Sequence, residues 1–122
     1  MKKILVIEDD LNIRESLSEL LETRSYQIFS SDNGRSALEL IQQKLPDLII
    51  CDVMMPGMDG FDTCRQLRAN PTLTDIPIVM ITALDDYASH LMGYKVGVDD
   101  FFTKPVDQII LLTRIKNILQ MN

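Results

Sequence analysis

Apolar positions along the chain fall into two alternating patterns. Short dense runs occur at residues 4–7, 28–29, 48–51, 76–81 and 101–102. Several are consecutive rather than alternating, which predicts strands buried on both faces of a sheet. Between them the spacing turns helical. Ile13, Leu17, Leu20 and Leu21 follow i, i+4, i+7, i+8, and Ala37, Leu38, Ile41 and Leu45 nearly repeat it. Phe61, Cys64 and Leu67 mark a shorter helix, Ala88, Leu91 and Met92 another, and residues 106–119 the longest and most apolar. Pro46 closes the second helix, Pro71 follows the third, Pro77 sits at the start of a strand and Pro105 directly after one, positions that avoid helix interiors. Strand–helix alternation repeated five times predicts an α/β fold, a doubly wound (βα)5 parallel sheet with helices on both faces. With no linker, repeat or charge block, residues 1–122 are expected to form one domain.

In such a sheet, ligands bind beyond the carboxyl ends of the strands. Read in order, the residues there are Glu8, Asp9 and Asp10; Ser30 and Ser31; Asp52; Thr82 and Ala83; and Lys104. In the flavodoxin-like strand order 2-1-3-4-5 the first and third strands are neighbours, about 4.8 Å apart. Asp9 and Asp52 would then face each other, with Glu8 nearby. Two like charges about 5 Å apart repel by roughly 3 kcal/mol at an effective dielectric near 20. A hard divalent cation relieves that repulsion, and Mg2+ suits a site with a few carboxylates and room for water or phosphate oxygens. Asp10 or Asn12 is expected to cap the first helix instead.

Composition narrows the choice of function. Of the 122 residues, 46% are hydrophobic, enough for a core without disulfide or metal staples. Eighteen acidic residues outweigh twelve Lys and Arg, giving a net charge of −6, which argues against direct nucleic-acid binding. No apolar run approaches the ~18 residues of a membrane span, and the start, MKKILVIEDD, is too acidic for a secretory signal. A cytoplasmic protein with two reduced thiols, Cys51 and Cys64, is expected.

The stretches ILVIEDD, LIICDVMMPGMDG, IVMITA and DDFFTKP together resemble the receiver domain of two-component response regulators, a CheY-like domain, and the resemblance covers the whole chain. It implies a phosphoacceptor, Asp52, that takes a phosphoryl group from a histidine kinase or phosphotransfer protein. It makes Glu8, Asp9, Asp52 and the backbone carbonyl of Met54 the Mg2+ ligands, Asp9 directly and Glu8 through water. Thr82 becomes the switch hydroxyl, Lys104 the phosphate-contacting lysine, and Pro105 the partner of a cis peptide bond. Phe101 stands where an aromatic residue turns inward on phosphorylation, and its burial is expected to increase then. The chemistry is self-consistent: a carboxylate is a competent nucleophile at phosphorus, and phosphoryl transfer is mostly positioning and charge neutralisation. Gly57 and Gly60 are expected to shape the loop behind Asp52. Met54 and Leu84, both apolar, are expected to shield the acyl phosphate from water.

The resemblance places the output face on the helix after Thr82, the fifth strand and the last helix. Of three charged pairs that join two receivers in winged-helix regulators, only Asp100 and Arg114 match; Lys95 would meet Lys116, and His90 would meet Ile110. Ile109, Ile110 and Leu112 instead make the last helix apolar, which points to a downstream protein or a second receiver as partner. His90 is expected to lie on a helix flank without a catalytic role. Three other readings stand beside this one. A pseudo-receiver would bind partners without accepting phosphate. A haloacid-dehalogenase-like phosphohydrolase would need an acid two residues after the nucleophile, where this chain has Met54. A flavodoxin-like cofactor site would place phosphate against Glu8, Asp9 and Asp10, which would repel it.

Overall fold

The computed structural model describes residues 1–120. The elements run β1 (Lys3–Ile7), α1 (Leu11–Glu22), β2 (Gln27–Ser31), α2 (Gly34–Lys44), β3 (Leu48–Cys51), α3 (Gly60–Ala69), β4 (Ile78–Thr82), α4 (Tyr87–Lys95), β5 (Asp100–Thr103) and α5 (Gln108–Gln120). The five strands form one parallel sheet in the order β2-β1-β3-β4-β5, as the apolar runs and the assumed winding predicted.

Both faces of the sheet are covered, and the strands divide their side chains between them by the period of two that a pleat imposes. Leu5, Ile7, Ile49, Cys51 and Met80 pack with Ala37 and Ile41 of α2 and Cys64 and Leu67 of α3. Ile4, Val6, Ile50, Val79 and Ile81 pack with Leu21 of α1 and Leu111, Ile115 and Leu119 of α5. Consecutive apolar residues are therefore needed in the central strands. All five helices are opened by a side-chain oxygen accepting from the backbone N–H three residues on: Asp10 from Ile13, Asn33 from Ser36, Asp59 from Asp62, Asp86 from Ser89 and Asp107 from Ile110. Such caps contribute about 1 kcal/mol each.

Some boundaries and faces differ from expectation. Ser30 and Ser31 lie within β2 rather than after it, and β4 starts one residue past Pro77. Leu45 is not an inward helical residue; it is the left-handed C-cap of α2 (φ 44) and is exposed. The longest helix begins at Gln108, not at residue 106. On α4 the expected markers fail most clearly. Ala88 and Leu91 are exposed, and the side turned to Phe101 of β5 carries His90 and the buried Gly93. On α5, Leu112 joins the core while Ile109 and Ile110 face outward. Both differences have one cause: helices apolar nearly all round carry no periodic signal that marks a face.

Candidate functional site

The carboxyl ends of β1, β3, β4 and β5 bring Glu8, Asp52, Thr82 and Lys104 to one edge of the sheet. Ile7 pairs with Cys51, and the Asp52 N–H donates to the Ile7 carbonyl at 2.9 Å. The strand register therefore sets Glu8, rather than Asp9, level with Asp52. Glu8 and Asp52 are buried, while Asp9, one residue farther out, is exposed. One carboxylate oxygen from each of the three lies within 4.8 Å of the others.

Lys104 closes the site from the far side. Its backbone N–H donates to the Thr82 carbonyl at 2.8 Å, and a cis peptide bond links it to Pro105. Its Nζ donates to Glu8 Oε1 at 2.6 Å and lies 3.5 Å from Asp52 Oδ2. The tight Glu8 contact was not foreseen. It spans 96 positions of sequence, and only the convergence of β1 and β5 at one edge hinted at it. Arg14 adds a second unforeseen contact, donating to the Glu8 carbonyl at 2.8 Å. Thr82 is fully buried, and its Oγ1 accepts from the Leu84 N–H at 3.4 Å. Met54, in the loop after β3, has an exposed side chain.

Burial pushes the Glu8 carboxyl up to about 7; Lys104 counters this, and Asp52 reinforces it. For Lys104 burial works to lower the pKa, but hydrogen bonding to Glu8 and the charge of Asp52 outweigh it, and the net direction is up. Burial likewise raises the Cys51 and Cys64 thiols. Both are free and buried, so neither is poised as a thiolate.

Asp52 Oδ1 is buried and has no hydrogen-bond partner among the described residues. An ionised oxygen is costly to leave in that condition. Three carboxylates with one orphaned oxygen make an all-oxygen donor set, which suits a hard cation of the Mg2+ type. One cation from the protein, Lys104, already neutralises part of the charge. What remains is a pocket in which two acids and an ammonium surround one carboxylate, with Thr82 at the end of the neighbouring strand, a setting competent for nucleophilic attack on phosphorus.

Away from this edge, Phe101 is buried with its ring against His90. Asp100 and Arg114 form a 2.9 Å ion pair within the chain.

The family model described as "Response regulator receiver domain" matches residues 4–116. The chain belongs to the response regulator receiver family. Among curated receivers, it is 42% identical over 117 residues to the response regulator PleD of Caulobacter vibrioides, covering 95% of this chain and 26% of that protein. It is 41% identical over 118 residues to the response regulator MprA of Mycolicibacterium vanbaalenii, covering 97% and 50%. This receiver thus spans half or less of the length of those relatives. Among solved structures, a two-component response regulator from Clostridium difficile superposes with a TM-score of 0.93 at 31% identity, covering 100% of this chain and 99% of that one. The Vibrio cholerae chemotaxis protein CheY4 gives 0.91 at 30%, covering 97% and 98%. The receiver fold with strand order 2-1-3-4-5 is common to them. Among the described residues, no helix of this receiver is long and apolar enough to cross a membrane.

Proposed function

We propose that residues 1–122 form one receiver domain, a cytoplasmic signalling protein rather than an enzyme, in which Asp52 accepts a phosphoryl group from a histidine kinase or phosphotransfer protein. The observation that carries this reading is the buried, unpartnered Oδ1 of Asp52 beside Glu8, Asp9 and Lys104. Glu8, Asp9, Asp52 and the Met54 carbonyl would hold Mg2+. When bound, the ion supplies positive charge to the phosphoryl oxygens as they crowd against the acids. An Asp52 oxygen forms the new O–P bond while the donor's P–N bond breaks, its electron pair leaving with the imidazole nitrogen, which takes up a proton. Lys104, now 2.6 Å from Glu8, turns its ammonium to the incoming phosphoryl group as charge accumulates there. Thr82 donates its hydroxyl to a phosphoryl oxygen.

The donor's seat lies beside this pocket. Leu11 and Ile13 are exposed at the start of α1, and a groove of about 430 Å³ between α1 and α5 is lined by Ile13, Leu17, Pro105, Val106 and Lys104 itself. A helix bearing the donor histidine could bury these apolar side chains while presenting its imidazole to Asp52. Intact mass after treatment with acetyl phosphate and Mg2+ tests the assignment. A gain of about 80 Da is expected in the wild type and none in Asp52→Ala. The adduct persisting in the variant would overturn it; no adduct in either protein would favour the phosphorylation-independent module. Turnover of a phosphate ester without adduct would favour the phosphohydrolase, although Met54 offers no proton where that chemistry needs one.

Output is assigned to the face formed by α4, β5 and α5. Tyr87, Leu91 and Tyr94, spaced i, i+4 and i+7, are exposed on α4, and Ile110 is 50% exposed on α5. The Asp100–Arg114 pair is already satisfied within the chain, which favours apolar contact over exchanged ion pairs between two receivers. Partners are a downstream protein or a second receiver, engaged when Thr82 and Phe101 shift. Nucleic acid is not among them, given the net charge of −6. Sedimentation of the beryllofluoride-treated protein is expected to show association that weakens at least several-fold in Ile110→Glu. Equal association of parent and variant would remove this helix from the interface.

A further inference from the structure

We propose that a groove along α5 is a docking site for an acidic peptide segment of a protein partner, separate from the Asp52 pocket and from the output face that carries Ile110. The groove, of about 730 Å³, lies between α5 and the chain at the starts of β1 and β2. Ile109, Leu112, Lys116 and Leu119 line it and follow i, i+3, i+7 and i+10, one face of the helix. Ile109 is therefore turned about 100° from Ile110, and it is 76% exposed, covered neither by the core nor by the output face. Leu112 and Leu119 are buried and form the floor.

Three cations rim this floor: Lys2 before β1, Arg24 after α1 and Lys116 on α5, all exposed. No Asp or Glu lines the groove, and among the described residues none of the three cations has a carboxylate partner. Arg65, Arg68, Lys104 and Arg114, by contrast, are each ion-paired within the chain. In a chain with eighteen acids against twelve Lys and Arg, three unpaired cations around an apolar strip mark one local site for anionic groups.

Shape and charge together select the occupant. From Ile109 to Leu119 the strip runs about 15 Å at the helical rise, the length of about four or five extended residues. A lone phosphate would satisfy the rim and leave the apolar strip in water; a segment alternating acidic and apolar side chains covers both. Exposed charges act over only about 8 Å at physiological salt, so the rim attracts carboxylates locally despite the net charge of −6. A second copy of the chain would bring a further −6 with it, whereas a short segment brings only the few carboxylates that the rim can meet.

A fluorescein-labelled peptide of sequence Glu-Leu-Glu-Leu-Glu, beside a counterpart with Gln in place of Glu, tests the assignment by anisotropy and by amide shift mapping. The acidic peptide is expected to bind, with shifts at Lys2, Arg24, Ile109 and Lys116, and to weaken about tenfold between about 50 and about 300 mM NaCl. Its Gln counterpart should bind at least tenfold more weakly. Arg24→Glu with Lys116→Glu should lower affinity at least tenfold, and Ile109→Gln about threefold. All three side chains are exposed, and an unchanged mass gain at Asp52 shows that each variant is folded. Arg35→Glu with Lys95→Glu, at exposed positions on α2 and α4, changes the net charge equally and should leave binding as it is, as should Ile110→Glu. Equal binding of the two peptides, an equal loss in the control pair, or shifts confined to the Asp52 edge or to α4 would overturn the proposal. So would binding to vesicles of phosphatidylcholine and phosphatidylserine in equal parts with none to the peptide, which would assign the groove to a lipid surface. Salt-sensitive self-association abolished by Arg24→Glu with Lys116→Glu would assign it to a second copy and overturn the proposal as well. None of these outcomes bears on the reading of Asp52.

Discussion

In the absence of divalent cation, the protein is expected to lose stability as pH rises from about 5 to above 7, and Mg2+ is expected to return it. The cause is Glu8. Its carboxyl is raised from an ordinary 4.5 to about 7, first by burial and then by the charge of Asp52. Between those two values the folded protein holds a proton that the unfolded chain has released, so raising the pH through the window favours unfolding. Above the folded pKa the full penalty applies; below 4.5 it vanishes. If the whole displacement is realised, the loss across the window approaches about 3 kcal/mol. Other carboxylates titrate too, and their slopes overlap. The comparison that isolates Glu8 is the difference between wild type and Glu8→Gln, which cannot ionise and should show no such decline.

The same proton competes with the metal. A Mg2+ ion bound to the ionised site must displace it, so affinity should rise about tenfold per pH unit below about 7 and level off above. Urea unfolding at several pH values, with and without MgCl2, together with calorimetric titration of Mg2+, measures both trends. A wild-type minus Glu8→Gln difference that is flat with pH would place the buried charge of Glu8 under the control of Lys104 alone. An ion pair at 2.6 Å makes that alternative concrete.

How much of this could be seen in the residues themselves varies from element to element. β1, β3 and β4 were legible because helices cover both of their faces, so residues 4–7, 48–51 and 78–81 are all apolar. The edge strands were blurred, since β2 ends in two serines and β5 in a threonine. The acids and Lys104 were legible as residues at strand ends, because a parallel sheet gathers its carboxyl ends whatever the intervening helices do. Their pairing was not. Which acid Lys104 touches depends on a single-residue difference between Glu8 and Asp9 in height above the sheet, and that is fixed by register. The inward side of α4 was misjudged for a different reason. α4 offers apolar residues in every direction, and the side that faces β5 is chosen by the smallness of Gly93, which periodicity does not weigh. Likewise Leu112 and Ile110, two positions apart, looked equivalent until the twist of α5 against the sheet sent one inward and the other out.

Gly60→Ala is expected to be among the most damaging single-methyl substitutions in the chain. Gly60 is the first residue of α3, buried, and its N–H donates to the Val53 carbonyl at 2.9 Å. An added Cβ would overlap the Asp52 carbonyl oxygen and would lie 2.8 Å from Val53 Cα. Both neighbours are backbone, so no rotamer change can relieve the contact; either α3 or the segment carrying Asp52 must move. Overpacking of this kind costs typically about 1–3 kcal/mol, and more where backbone is struck, so a loss of about 3 kcal/mol is expected by urea unfolding. The functional effect should be larger than the loss of folded protein explains. Displacing Asp52 by even a fraction of an ångström misaligns its oxygen for in-line attack, so the rate of phosphorylation by acetyl phosphate should fall at least tenfold in protein that is still folded. Gly57→Ala is the control. Gly57 has φ +76 but nothing within 4 Å of an added Cβ, so the substitution carries only the left-handed penalty of about 1–2 kcal/mol and leaves Asp52 where it is. The ratio of phosphorylation rates in the two variants, each measured at a denaturant-free temperature where both are folded, therefore separates strain in the loop from displacement of the nucleophile. Equal rates in both would mean that the close packing of α3 on the Asp52 backbone does not set the geometry of attack.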